Sequence, residues 1–74
     1  MYALITTKRN QTRAEVKLFQ SRSDLEKEMI LRYNSYLKKA KEVDWRYTFF
    51  DSENWYGSVD DWVDRVELRY CEVA

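Results

Sequence analysis

Hydrophobic and polar positions alternate with the period of a β-strand through most of the first twenty residues. "YALITTK" and "RAEVKLFQ" flank a polar "RNQT", the pattern of a hairpin. A loop centred on Asn10 and Gln11 pairs Ala3, Ile5 and Thr7 with Leu18, Val16 and Ala14 on one face. Tyr2, Leu4 and Thr6 then meet Phe19, Lys17 and Glu15 on the other. The first set lacks charged residues and is expected to form the core side. The period then changes. Apolar residues at 25, 29, 30, 33, 36, 37 and 40 fall in one stripe at helical spacing, behind a capping-box pattern of Ser23 and Glu26. This predicts a helix over about 24–42, with Leu31 outside the stripe and exposed. "DWRYTFF" (44–50) is rich in strand-favouring aromatics, and "RVELRYCEV" (65–73) alternates Val66, Leu68 and Tyr70 against Glu67, Arg69 and Cys71. Between them, Ser58 is expected to cap one helical turn through "VDDWV". The predicted order is β-β-α-β-β: an α+β fold with a four-stranded, largely antiparallel sheet and one helix packed on one face, forming a single domain over residues 1–74.

Composition narrows the function. The chain has 74 residues, 45% of them hydrophobic and 35% charged. That balance is globular, near the lower size at which one core holds a fold. With 3 Trp, 6 Tyr and 3 Phe, there are more aromatics than a one-sided core of this size needs. Some of Tyr2, Phe19, Trp45, Tyr47, Phe49, Phe50, Trp55 and Trp62 are therefore expected on the helix-free face, under a covering loop or as a contact surface. Histidine is absent and Cys71 is the only cysteine. No nucleophile–base pair, glycine-rich phosphate loop or paired metal ligands appear, so the chain reads as non-catalytic, with no cofactor. It begins without a basic leader and has no long apolar run, which predicts a soluble, cytoplasmic protein without membrane contact.

Formal net charge is zero, yet residues 1–40 carry nine Lys/Arg against four Asp/Glu, and residues 41–74 carry four against nine. The acidic half contains "DSENWYGSVDDWVDR" (51–65). Its carboxylates do not follow the calcium-loop pattern. Asp51, Glu53, Asp60, Asp61 and Asp64 with Trp55, Tyr56 and Trp62 are expected to form a partner-binding surface. The rings would act as anchors, and the carboxylates would steer a protein partner with a basic surface, such as a nucleic-acid-binding protein. An ordinary solvated loop is the plain alternative for this stretch. Two other functions compete: a nucleic-acid-binding module using the basic hairpin tip "TKRNQTR", and a homodimer whose open sheet faces pack together. Direct nucleic-acid binding is disfavoured by the neutral net charge.

A short, aromatic-rich, histidine-free chain of this kind resembles in style the small accessory proteins that phages and other mobile elements encode. The resemblance implies inhibition of a host-defence or nucleic-acid-handling protein by direct binding.

Overall fold

In the computed structural model, which describes residues 1–73, β1 (Tyr2–Lys8) and β2 (Glu15–Phe19) form the expected hairpin. Their register runs from Tyr2 opposite Phe19 to Thr6 opposite Glu15. The chain then enters α1 (Arg22–Lys39) and returns through β3 (Phe49–Asp51), β4 (Tyr56–Asp60) and β5 (Arg65–Glu72). The sheet is antiparallel throughout, in the order β2-β1-β5-β4-β3, so the hairpin's first strand docks beside the last strand of the chain. The α+β class and the single helix are as predicted. Among the described residues the sheet, however, has five strands rather than four.

The additional strand is β4, which lies where a loop and a helical turn were expected. Ser58 is buried in its middle and caps nothing. The "DWRYTFF" strand is shorter than predicted and begins only at Phe49. Ahead of it the Asp44 carboxylate accepts from the backbone N–H of Arg46 at 3.1 Å, closing residues 44–47 into a turn. Such a local side-chain bond competes with ladder pairing. The helix starts earlier than the capping-box pattern implies, with Ser21 at its N-cap position. Arg22 is ion-paired to Glu26 at 3.1 Å, so Glu26 is drawn to a side chain one turn away.

The face of the hairpin that meets the helix is the reverse of the expected one. Leu4, Leu25, Met29 and Leu68 form the buried core, ringed by Tyr2, Phe19, Tyr33, Tyr36, Phe50, Trp55 and Tyr70. Val16 and Leu18 remain 57% and 55% exposed on the opposite face. The set with Tyr2, Leu4 and Phe19 wins because its long rings reach the helix. The charged members of that set, Glu15 and Lys17, sit on an edge strand where their heads stay in solvent. Leu31 is exposed as expected. Gly57 has a packing role: a Cβ there would stand 3.2 Å from the Phe50 ring and 3.7 Å from Tyr33, so glycine lets both rings lie against the sheet.

Leu4→Ala should therefore destabilise the protein by about 2–5 kcal/mol. Val16→Thr on the other face should change stability by about 0.5 kcal/mol or less. Urea unfolding of the two variants checks the assignment, and the reverse ranking would mean that the faces are exchanged.

Candidate functional site

β4 divides the "DSENWYGSVDDWVDR" stretch into two turns at opposite ends of one strand, roughly 15 Å apart at about 3.3 Å per residue. At the first turn the Asp51 carboxylate accepts from the backbone N–H groups of Glu53 (2.9 Å) and Asn54 (3.2 Å) and from the Asn54 side chain (2.9 Å). These bonds, the Asn54 side chain first, hold its pKa below the ordinary carboxylate range. Glu53 is exposed. Trp55 packs edge-on against Phe50, with ring centres 5.7 Å apart, on the helix side. Tyr56 begins β4 on the other face, 5.5 Å from Phe49.

At the second turn, Asp61 accepts from the N–H groups of Val63 (3.1 Å) and Asp64 (2.7 Å), and Asp64 accepts from that of Arg65 (2.9 Å). Asp60 is 3% exposed, and its carboxylate accepts from the Trp62 N–H (2.8 Å), Arg9 (3.0 Å) and Arg65 (3.1 Å). The Trp62 N–H is the main cause of its increased acidity, reinforced by the Arg65 hydrogen bond and the Arg9 charge against the opposing effect of burial. Four of the five carboxylates in the stretch are thus directed at their own backbone or at arginines. Only Glu53 points to solvent with no such partner.

The acidic network organises a cluster that the sequence reading did not single out. Asp44 is buried and ion-paired to Arg46 at 3.0 Å, and that bond lowers its pKa. Its N–H donates to the Asp60 carbonyl at 2.8 Å. The Thr48 hydroxyl donates to the Asp44 carbonyl (2.8 Å) and accepts from the Asp60 N–H (3.0 Å). The 44–48 turn is therefore stapled to the end of β4. On this scaffold Arg65 lies over the Tyr47 ring at 4.2 Å, while Arg46 reaches Tyr47 at 5.5 Å and Trp62 at 5.0 Å.

The alternation of β5 places this cluster on the helix-free face. Val66 and Leu68 are buried toward the helix, so Arg65, Glu67 and Arg69 point the other way. A depression of 250 Å³ lined by Thr7, Arg9, Arg65 and Glu67 lies beside it. Trp45, Tyr47, Phe49 and Trp62 are all exposed. Trp62 is held with a φ of 70°, a left-handed conformation that a non-glycine residue adopts at a cost of about 1–2 kcal/mol. The one signal in the chain was Arg65 at the head of the β5 alternation, which pairs opposite Asp60 at the end of β4.

Among the described residues, no group of three or more His, Cys, Asp or Glu is placed to hold a metal ion, no buried side-chain polar atom lacks a partner, and no helix is long and apolar enough to cross a membrane. Comparison with protein-family models, curated proteins and solved structures finds no match.

Two outcomes follow for stability. A depressed folded pKa stabilises fully above the unfolded carboxylate value of about 3.9 and is lost as pH falls through the lower folded value. Asp60→Asn should thus cost about 2 kcal/mol at neutral pH. The gap from wild type should narrow as pH falls below about 4 in urea titrations. Trp55, with a φ of 52°, shares the left-handed conformation of Trp62. Trp62→Gly should shift stability by no more than about 1 kcal/mol, since relief of backbone strain offsets the lost ring contact. Trp55→Gly should lose roughly 2 kcal/mol, because its ring closes the core. Thermal melts of the two variants separate these roles.

Proposed function

We propose that this protein is a non-catalytic, cytoplasmic binding protein that modulates or inhibits a protein partner by covering part of its surface. The contact centre is the cluster of Arg9, Arg46, Tyr47, Trp62 and Arg65 on the helix-free face. The observation that carries this reading is the anchoring of Arg46 and Arg65: each is bonded to a buried carboxylate and stacked on a ring while part of it stays accessible. Side chains held in this way lose little freedom on binding. Arginine, tyrosine and tryptophan are also the residues in which the energy of protein interfaces concentrates. Of the acidic-aromatic surface expected from the sequence, Trp62 contributes a ring to this contact and Asp60 supports it from beneath. A host-defence or nucleic-acid-handling protein, the partner class implied by the resemblance to phage accessory proteins, remains part of the proposal.

A second reading, single-stranded nucleic acid stacked on Tyr47 and Trp62, is favoured by the mixture of rings and guanidinium groups. Against it, Asp44 and Asp60 neutralise Arg46, Arg9 and Arg65, and Glu67 stands beside them. The face therefore has little of the surplus positive charge that phosphate binding requires.

A photo-crosslinking amino acid placed at position 47, and as a control at position 31 on the exposed helix face, tests the proposal in cells of the natural host. The expected result is a discrete protein adduct from position 47 and none from position 31. Trp62→Ala and Arg65→Ala should each weaken binding of the purified partner by about thirtyfold, or about 2 kcal/mol. Adducts from position 31 alone would contradict the assignment. So would submicromolar binding of a labelled oligonucleotide at about 150 mM salt with a steep salt dependence.

A further inference from the structure

The five residues of β2 form one edge of the sheet. The backbone groups it leaves unpaired follow from the bonds of its neighbours. The Val73 N–H donates to the Met1 carbonyl at 2.8 Å, and the Arg9 N–H donates to the Arg65 carbonyl at 3.0 Å. Odd-numbered residues of β1 are therefore the ones hydrogen-bonded to β5, and even-numbered residues turn their N–H and C=O groups toward β2. Their partners there are Phe19, Lys17 and Glu15. It follows that Val16 and Leu18 direct their backbone donors and acceptors away from the sheet. Val16 is 57% and Leu18 55% exposed, and β2 contains no proline. Such an edge is a template for another strand.

We propose that the occupant is β2 of a second copy, paired antiparallel about a two-fold axis between the two Val16 residues. In this register Val16 faces Val16 as a hydrogen-bonded pair, Leu18 faces Ala14, and Glu15 faces Lys17 twice, once on each side of the axis. The charges select the register. Moving the axis to Lys17 sets two lysines opposite one another, and moving it to Glu15 sets two glutamates so. Shifts that place Val16 opposite Lys17 bring outward backbone groups against inward ones. Lys17, the charge that would otherwise guard this edge, is neutralised by Glu15 only in the proposed register. Glu15 lies 3.2 Å from Arg32 with its side chain still 63% exposed, so it remains accessible to the Lys17 of a second copy. The result is a continuous ten-stranded sheet with both helices on one side and both open faces on the other. The inference does not rest on the proposed function, and it leaves the Arg–aromatic cluster free on both copies.

Sedimentation equilibrium from about 1 μM to about 1 mM tests it. Wild type should shift from monomer to dimer across that range. Lys17→Glu and Glu15→Lys should each weaken association by about tenfold or more. Mixing the two variants should restore it, because the mixed pair again sets lysine opposite glutamate on both sides of the axis. Val16→Pro should remain monomeric with unchanged circular dichroism, since it deletes an N–H that the monomer does not use. The proline variant also serves as the test if Glu15→Lys proves unstable through loss of its Arg32 contact. A wild type that stays monomeric throughout would overturn the proposal. Equal association of wild type and Val16→Pro, or of wild type and folded charge variants, would do the same by showing that another surface is used.

Discussion

The carboxylate of Asp60, buried at the end of β4, holds together the parts of the molecule that differ most in sequence position. It joins Arg9 at the hairpin tip, Arg65 at the start of β5 and the N–H of Trp62 in the turn between. Through its own backbone it also fixes Asp44 and Thr48. A charge removed from water is tolerated only when it is fully partnered, and here the carboxylate's partners come from three segments: the hairpin tip, the turn after β4 and the start of β5. The helix-free face has its shape for that reason: Tyr47 and Trp62 stand where they do because Arg65 and Arg46 are tethered below them.

Much of the fold was legible in the chain, and the failures have physical causes. The hairpin register followed from alternation and loop position alone. Its core face did not, because hydrophobicity alone favours the uncharged set, Ala3, Ile5, Thr7, Ala14, Val16 and Leu18. The helix selects rings that can reach it, Tyr2 and Phe19, over the shorter Val16 and Leu18. Strand β4 was hidden by Gly57, Ser58 and Asp60, residues that disfavour strands on average. Each is present here for a local reason: room for Phe50, a small buried position, and the arginine network.

The site was legible only in part. Counting carboxylates between 51 and 65 identifies an unusual stretch but cannot show which way they point. Asp51, Asp61 and Asp64 bond to backbone N–H groups within a few residues of themselves, as short acidic side chains do in turns. The arginines that do reach the surface come from positions 9, 46 and 65, too far apart in sequence for any spacing rule to unite them. A β2-paired dimer would repeat the arranged face twice on one side of a continuous sheet. Two-point attachment of that kind raises the effective affinity of a weak contact without new side chains.

The central claim is that a fully partnered Asp60 carboxylate organises the open face. It is tested most directly by following the Asp60 side-chain carboxyl carbon by NMR as pH is lowered. The account predicts a midpoint clearly below the ordinary aspartate value of about 3.9, with the Arg65 Nε–H and Trp62 N–H resonances shifting at the same midpoint. An Asp60 that titrates at the ordinary value, with those two signals unmoved, would contradict it.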